Sequence, residues 1–205
     1  PATAVSPIGE DQMWQGYPQQ ESAGYSAAKK MGIVAGSSYQ IQYGMRTVVL
    51  VPGNMYGPFD NFRTEESHVV PGMLRRYYEA KLAHVPEVTM WGTGAPTRDF
   101  VYAGDVAALI PWFIEHDSEP GPVNLSSGTT TSMKELAEII QKTTGYEGRI
   151  AWDTSKPDGQ MVKIFDVSKM KSLGLSCPTS LEDGLQKTAK WLEKNYACRG
   201  ERIRL

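Results

Sequence analysis

The run Arg46-Thr-Val-Val-Leu-Val51 admits few folds. It is rich in β-branched residues and shows no apolar–polar alternation. Such a run predicts a strand buried on both faces, as in a parallel sheet covered by helices. A helix over 24–43 is expected before it, with Ser22 as its cap and Gly44 as its stop. Ala27, Ala28, Gly32, Ala35 and Gly36 give that helix a thin face that can lie close on a sheet. Pro52-Gly53-Asn54 then breaks the strand, and 56–62 reads as a loop by its turn residues.

The alternation continues downstream. A helix is expected over 71–82 with Pro71 in its first turn, then a strand at 88–91 and a turn at 92–96. A helix over 105–116, despite Pro111, precedes a strand at 123–125. Ser132-x-x-Glu135 is a capping box ahead of Met133, Leu136, Ala137, Ile139 and Ile140, an apolar stripe at helical spacing. Gly145 ends that helix, and a strand at 149–153 follows. A last helix over 180–196 carries Leu181, Leu185 and Leu192 on one face. Strands alternating with helices make the class α/β.

The chain has 205 residues, 40% hydrophobic and 21% charged, an ordinary globular mixture that excludes wholesale disorder. A net charge of −2 argues against a nucleic-acid groove or a polybasic membrane surface, while leaving room for a local basic pocket. The longest apolar stretches, at 47–51 and 107–114, fall far short of the ~20 residues that span a bilayer. No signal peptide opens the sequence, and the expected setting is the reducing cytoplasm. Cys177 and Cys198 fit neither a disulfide framework nor a metal knuckle. His68, His84 and His116 lack metal-ligand spacing, so no metal is expected. Asn124-Leu-Ser126 is formally a glycosylation sequon, best explained by chance.

Tyr25-Ser-Ala-Ala-Lys29 places a phenol and an ammonium four residues apart, on one helix face. A nearby cation favours phenolate and brings a tyrosine closer to the range useful for general acid catalysis. Taken alone, the pair recurs by chance in many helices and reads as an accident of a solvated one, with Lys30 as a solubilising neighbour. Arg75 and Arg76 alone would be a solvated face, Trp91 core, and His68 a structural residue at a helix start. No glycine-rich phosphate loop occurs, and Gly92-x-Gly94 is a poor substitute because Pro96 follows without a third glycine.

The order of a Tyr-x-x-x-Lys helix, a buried strand and Pro52-Gly-Asn-Met-Tyr-Gly-Pro58 resembles the extended short-chain dehydrogenase/reductases. Five ordered motifs narrow the resemblance. Asn54-Met-Tyr-Gly-Pro-Phe-Asp-Asn-Phe62, Ser67-His-Val-Val-Pro71, Arg75-Arg76, Trp91-Gly-x-Gly-x-Pro-x-Arg98-Asp-Phe and Ser155-Lys-Pro-Asp-Gly159 are similar to the GDP-L-fucose synthase branch. That resemblance implies an NADP(H)-dependent epimerase and reductase of a GDP-4-keto-6-deoxy sugar, working as a homodimer. Tyr25 would protonate the sugar C4 oxygen as hydride arrives, and Lys29 would bind the nicotinamide ribose. Pro52, Gly53, Asn54 and Met55 would line the nicotinamide. His68 would be an epimerisation acid/base lying against the cofactor. Arg76, Trp91, Arg98, Asp158 and Lys163 would contact the GDP-sugar.

The resemblance further implies a division of the chain. Residues 1–56 with 104–127 would be the remaining part of a partial Rossmann-type dinucleotide domain, and 57–103 with 128–205 a smaller α/β substrate domain. The glycine loop, an acid/base cysteine and a catalytic serine would precede Pro1, and this chain alone is expected to be inactive as a reductase. The alternatives are another nucleotide-sugar epimerase or 4,6-dehydratase of the same family, or a non-catalytic nucleotide-sugar-binding domain.

Overall fold

Helix and strand alternate along the computed structural model, which describes residues 1–63, 65–116 and 121–197. Two short 3-10 turns lead into α1 (Ala23–Tyr43), followed by β1 (Val49–Pro52), β2 (Asn54–Tyr56), α2 (Val69–Leu82) and β3 (Glu87–Trp91). Next come β4 (Thr97–Arg98), β5 (Phe100–Tyr102), α3 (Ala103–Glu115), β6 (Pro122–Leu125) and β7 (Thr131–Ser132). The rest is α4 (Met133–Thr144), β8 (Arg149–Asp153), β9 (Val162–Lys163), α5 (Ser168–Ser172) and α6 (Leu181–Asn195). β1 pairs with β6, β2 with β5 and β3 with β8, all parallel. β4 lies between antiparallel β7 and parallel β9.

Local chemistry sets most boundaries. Gly44 and Gly145 end α1 and α4 in the left-handed region, at φ 67° in each case, where a Cβ is disfavoured. The Ser132 hydroxyl accepts from Glu135 N–H at 3.1 Å, and the Glu135 carboxylate accepts from Ser132 N–H at 2.7 Å. Ser180 caps α6 through its hydroxyl, which accepts from Asp183 N–H. Ser22 is different: it precedes α1 but makes no capping bond, and its hydroxyl donates back to Gln19 O instead.

Two apolar clusters hold the elements. Tyr56, Phe62, Leu74, Tyr77, Leu136, Ile140, Leu185 and Leu192 bury the facing sides of α2, α4 and α6. Val101, Phe113, Val123, Leu125, Val167, Met170 and Cys177 form the second, around β6, α3 and α5. Each fully buried Val, Leu, Ile, Phe or Met among them contributes roughly 1.5–3 kcal/mol of transfer free energy.

Several expectations need correction. The strand read over 46–51 begins only at Val49, and its residues are half-buried, because among the described residues β1 pairs with β6 alone. α1 is exposed along nearly its whole length. Gly36 alone is buried, and a Cβ there would strike the Thr47 side chain. Tyr56, read as the start of a loop, ends β2 and is almost wholly buried. Arg75 is no solvated residue: it bonds Glu79 at 2.8 Å and Phe62 O at 3.1 Å. Lys30 leans over the Trp14 ring, 5.0 Å from its centroid. Trp91 is no core residue, being 70% exposed.

Asn124 is buried, and its amide donates to Ile8 O and Asp166 O, so the sequon at that position is closed to modification. Cys177 is a free buried thiol, while Cys198 lies outside the described residues. Among the described residues no helix is long and apolar enough to cross a membrane.

Candidate functional site

A cleft of about 600 Å³ opens where β4, β9, the start of β2 and the segment entering α1 converge. Ala2, Gln19, Gln20, Glu21, Asn54, Arg98, Asp158, Gly159, Gln160 and Lys163 line it. Four residues singled out by sequence therefore meet here: Asn54, Arg98, Asp158 and Lys163.

Strand pairing explains two of them. Arg98 and Lys163 are register partners on parallel β4 and β9, so their side chains leave the same region of the sheet. Arg98 Nη1 donates to Thr97 O at 2.8 Å, which fixes the guanidinium close to its own strand. Burial lowers the pKa of Arg98. Burial, then the Arg98 charge, holds the Lys163 ammonium below the usual lysine range. Among the described residues no carboxylate lies within ion-pair distance of either. Half-buried, unpaired and adjacent, the two cations lack only an anion.

Asp158 is held differently. Its Oδ1 accepts from Thr93 N–H at 2.9 Å and its Oδ2 from the Thr93 hydroxyl at 2.7 Å. Those bonds, the backbone one first, hold its carboxyl below the ordinary range. Gly92 is obligatory beside it: φ is +81°, and a Cβ would run into the Asp158 carboxylate. The carboxylate thus clamps the loop after β8 onto the turn after β3. Gly159 follows, and a Cβ there would lie 3.5 Å from Arg98 Nη2.

Asn54 ties the cleft to the carboxyl ends of the strands. Its amide donates to Asp99 O at 2.8 Å and its N–H to the same oxygen at 3.3 Å. Gly53 N–H donates to Leu125 O at 2.9 Å, and a Cβ at Gly53 would strike the Ser126 hydroxyl. Pro52 to Met55 therefore run along the carboxyl edge of parallel β1 and β6, where open α/β sheets hold ligands. Met55 is exposed there and offers an apolar face. These residues fit the nicotinamide half of a dinucleotide: an apolar contact, a thin backbone, and the carboxyl ends of parallel strands.

The remaining sequence candidates do not line the cleft. Tyr25 and Lys29 share one face in the first turns of α1, with Lys29 Nζ 5.5 Å from the Tyr25 ring centroid and the phenol 68% exposed. His68 is exposed at the N-cap of α2, where its carbonyl accepts from Gly72 N–H and its side chain makes no cap bond. It faces Asp60, whose carboxyl is raised by burial, against the opposing pull of Asn61 N–H and the His68 charge. Arg76 Nη1 donates to Thr89 O at 3.2 Å on the exposed side of α2. Trp91 stands open, with Lys156 Nζ 5.6 Å from its ring.

Sequence reasoning missed Gln19, Gln20, Glu21 and Gln160, which share no motif and lie about 140 residues apart. It also missed Asp99, wholly buried, whose Oδ1 accepts from Ser127 Oγ at 2.7 Å. Only its place within the Arg98-Asp-Phe motif marked it.

The chain is 39% identical over 199 residues to GDP-L-fucose synthase 1 of Arabidopsis thaliana, covering 97% of this chain and 62% of that protein. It is 37% identical over 204 residues to GDP-L-fucose synthase of Escherichia coli K12, covering 95% and 64%. The chain thus spans less than two thirds of the length of these relatives. A crystal structure of GDP-L-fucose synthetase from Naegleria fowleri bound to NADP superimposes with a TM-score of 0.90 at 27% identity, covering 100% of this chain and 65% of that one. The fold is accordingly the α/β, Rossmann-like one of those enzymes. Residues 2–126 match the model of the NAD dependent epimerase/dehydratase family, and the chain belongs to that family.

Proposed function

We propose that this chain supplies the sugar-nucleotide site and the catalytic helix of an NADP(H)-dependent epimerase and reductase that makes GDP-L-fucose from a GDP-4-keto-6-deoxy sugar. The observation that carries the reading is the unpaired Arg98–Lys163 pair in the cleft, a seat for a diphosphate. The relatives support it, since the plant and bacterial proteins are GDP-L-fucose synthases and the Naegleria enzyme binds NADP.

In this reading Arg98 and Lys163 hold the diphosphate. Trp91 offers a stacking face, and Arg76 and Asp158 complete the contacts to the GDP-sugar. Lys29 binds the nicotinamide ribose, and Pro52 to Met55 bound its ring, with His68 against it. The bound cofactor supplies the hydride. The chain's own residues move the protons. His68 serves as an acid/base at C3 and C5, which the neighbouring C4 ketone acidifies; inversion requires removal and return on opposite faces, so His68 performs one of the two transfers. Tyr25 gives its phenolic proton to the C4 oxygen as that carbon is reduced, so the ketone becomes an alcohol.

We assign 1–56 and 104–127 to the dinucleotide domain and 57–103 and 128–205 to the substrate domain. The working state we infer is a cytoplasmic homodimer, supported by the exposed apolar residues Met31, Val34 and Ile41 on α1. The test is product analysis. An enzyme containing this chain, given the 4-keto sugar and NADPH, is expected to yield GDP-L-fucose with one NADPH oxidised per product. No reduction of the 4-keto sugar, with redox-neutral conversion of GDP-mannose instead, would overturn the reductase reading in favour of a 4-epimerase or 4,6-dehydratase.

A further inference from the structure

The cleft is chemically lopsided. Arg98 and Lys163 make one side cationic, while the segment entering α1 contributes Gln19 and Glu21, and the loop after Asp158 contributes Gln160. Gln19 Nε2 donates to Gln160 Oε1 at 3.4 Å, joining side chains 141 residues apart. At that length the bond is weak, and both side chains are exposed. A carboxamide carries two N–H donors and an acceptor oxygen. The Gln19–Gln160 bond uses one N–H and one lone pair, so each amide keeps both donating and accepting capacity.

Such groups do not neutralise an anion. They match hydroxyls, which also donate and accept. Glu21 repels phosphate but accepts well from a diol. The lining thus suits a ligand with an anionic part and a polyol part, and about 600 Å³ holds both.

We propose that Gln19 and Gln160 form a hydroxyl-reading subsite beside the cationic pair, selecting vicinal hydroxyls of a pentose or hexose joined to the bound diphosphate. The proposal rests on the cleft being a sugar-diphosphate site. A diphosphate on Arg98 and Lys163 fixes one end of the ligand, and the sugar ring then lies toward the two amides. A ligand hydroxyl that takes over the long amide–amide bond sacrifices little. It also links Gln160, two residues after Asp158, to Gln19, six residues before Tyr25. Occupancy of the subsite therefore couples the substrate loop to the helix that carries Tyr25.

The experiment is calorimetric titration of the 205-residue chain with inorganic pyrophosphate, GDP, 2′-deoxy-GDP and GDP-mannose. The variants are Gln19→Leu and Gln160→Leu, surface changes of similar size whose folding is checked by circular dichroism. Each is expected to weaken GDP-mannose by about 3–10-fold, the scale of a lost neutral hydrogen bond, and to leave pyrophosphate at wild type. A loss also seen with GDP and abolished with 2′-deoxy-GDP places the ribose diol on the amides. A loss confined to GDP-mannose places the hexose there. Wild-type affinity for every nucleotide ligand in both variants overturns the proposal and leaves the diphosphate clamp standing. An equal loss for pyrophosphate overturns it too, because the amides would then act on the anion. A wild-type chain that binds neither pyrophosphate nor GDP overturns the reading of the cleft itself.

Discussion

Arg98 and Lys163 stand in register on neighbouring parallel strands, two cations side by side with no carboxylate within ion-pair distance among the described residues. Partial burial, and then repulsion from Arg98, disfavour the charged ammonium, so the pair costs the folded chain stability at neutral pH. That cost fades as pH rises through the lowered Lys163 pKa toward its unfolded value. An anion reverses the balance, because it favours the charged lysine.

Diphosphate binding is therefore expected to take up protons at alkaline pH. In the window between the lowered free pKa of Lys163 and the higher pKa of its complex, each binding event draws in part of a proton. Affinity falls as pH climbs through that window. Calorimetry with GDP in buffers of different ionisation enthalpy reads the uptake directly. Lys163→Met should abolish it, and Arg98→Ala should weaken GDP by 10-fold or more, the scale of a charge-assisted contact. Binding with no proton linkage in the wild type would remove Lys163 from the anion's contacts.

Gly53 is a packing requirement. A Cβ there would meet the buried Ser126 hydroxyl, which has no hydrogen-bond partner among the described residues. Gly53→Ala is expected to destabilise the fold by about 1–3 kcal/mol in urea unfolding, the range for overpacking. Adding Ser126→Gly should restore most of the loss, since it removes the colliding atom. A double variant no better than Gly53→Ala would show that the cost lies in the backbone instead.

Cys177 is expected to be chemically silent. Burial, with Asp105 and then Asp99 nearby, pushes its thiol up to about 11. Only the thiolate reacts, so at pH 8 the folded chain should leave the Cys177 peptide unmodified by iodoacetamide for hours, and urea should expose it at once. Peptide mass spectrometry separates this thiol from Cys198. Rapid labelling in the folded state would contradict the buried placement.

The elements legible in the sequence are those fixed by one or two local groups. Gly44, Gly145 and the Ser132–Glu135 box mark their helix ends whatever surrounds them. The dipeptide strands β4, β7 and β9 carry no periodicity, because two residues cannot display one. They exist only through their pairing, yet that pairing sets Arg98 beside Lys163. Motif resemblance reached both residues without indicating that they are neighbours. Gln19 and Gln160 were out of reach altogether, since amides carry no signature and their meeting depends on tertiary structure. The burial expected of 46–51 failed for a related reason: composition records affinity for a covered sheet, whereas burial depends on what lies against it.

The last prediction separates the two chemistries proposed for Tyr25 and His68, one in the first turns of α1 and the other at the N-cap of α2. Epimerisation removes protons from carbons next to a ketone, and an imidazole titrates in the range that such work requires. Reduction requires one proton at the C4 oxygen, delivered in this reading by the Tyr25 phenol. In an enzyme containing this chain, His68→Gln is expected to lose most exchange of the C3 and C5 hydrogens with deuterated solvent. It should still reduce the unepimerised ketone slowly, giving a 6-deoxy sugar of the wrong configuration. Tyr25→Phe, which keeps the ring and its contact with Lys29, should do the opposite. Exchange should persist in that variant while reduction falls by about 10²–10⁴-fold. Product made in deuterium oxide, with and without NADPH, is read by mass spectrometry and proton NMR. Full deuterium incorporation in His68→Gln would move the acid/base role off His68, and wild-type reduction by Tyr25→Phe would remove the phenol from the mechanism.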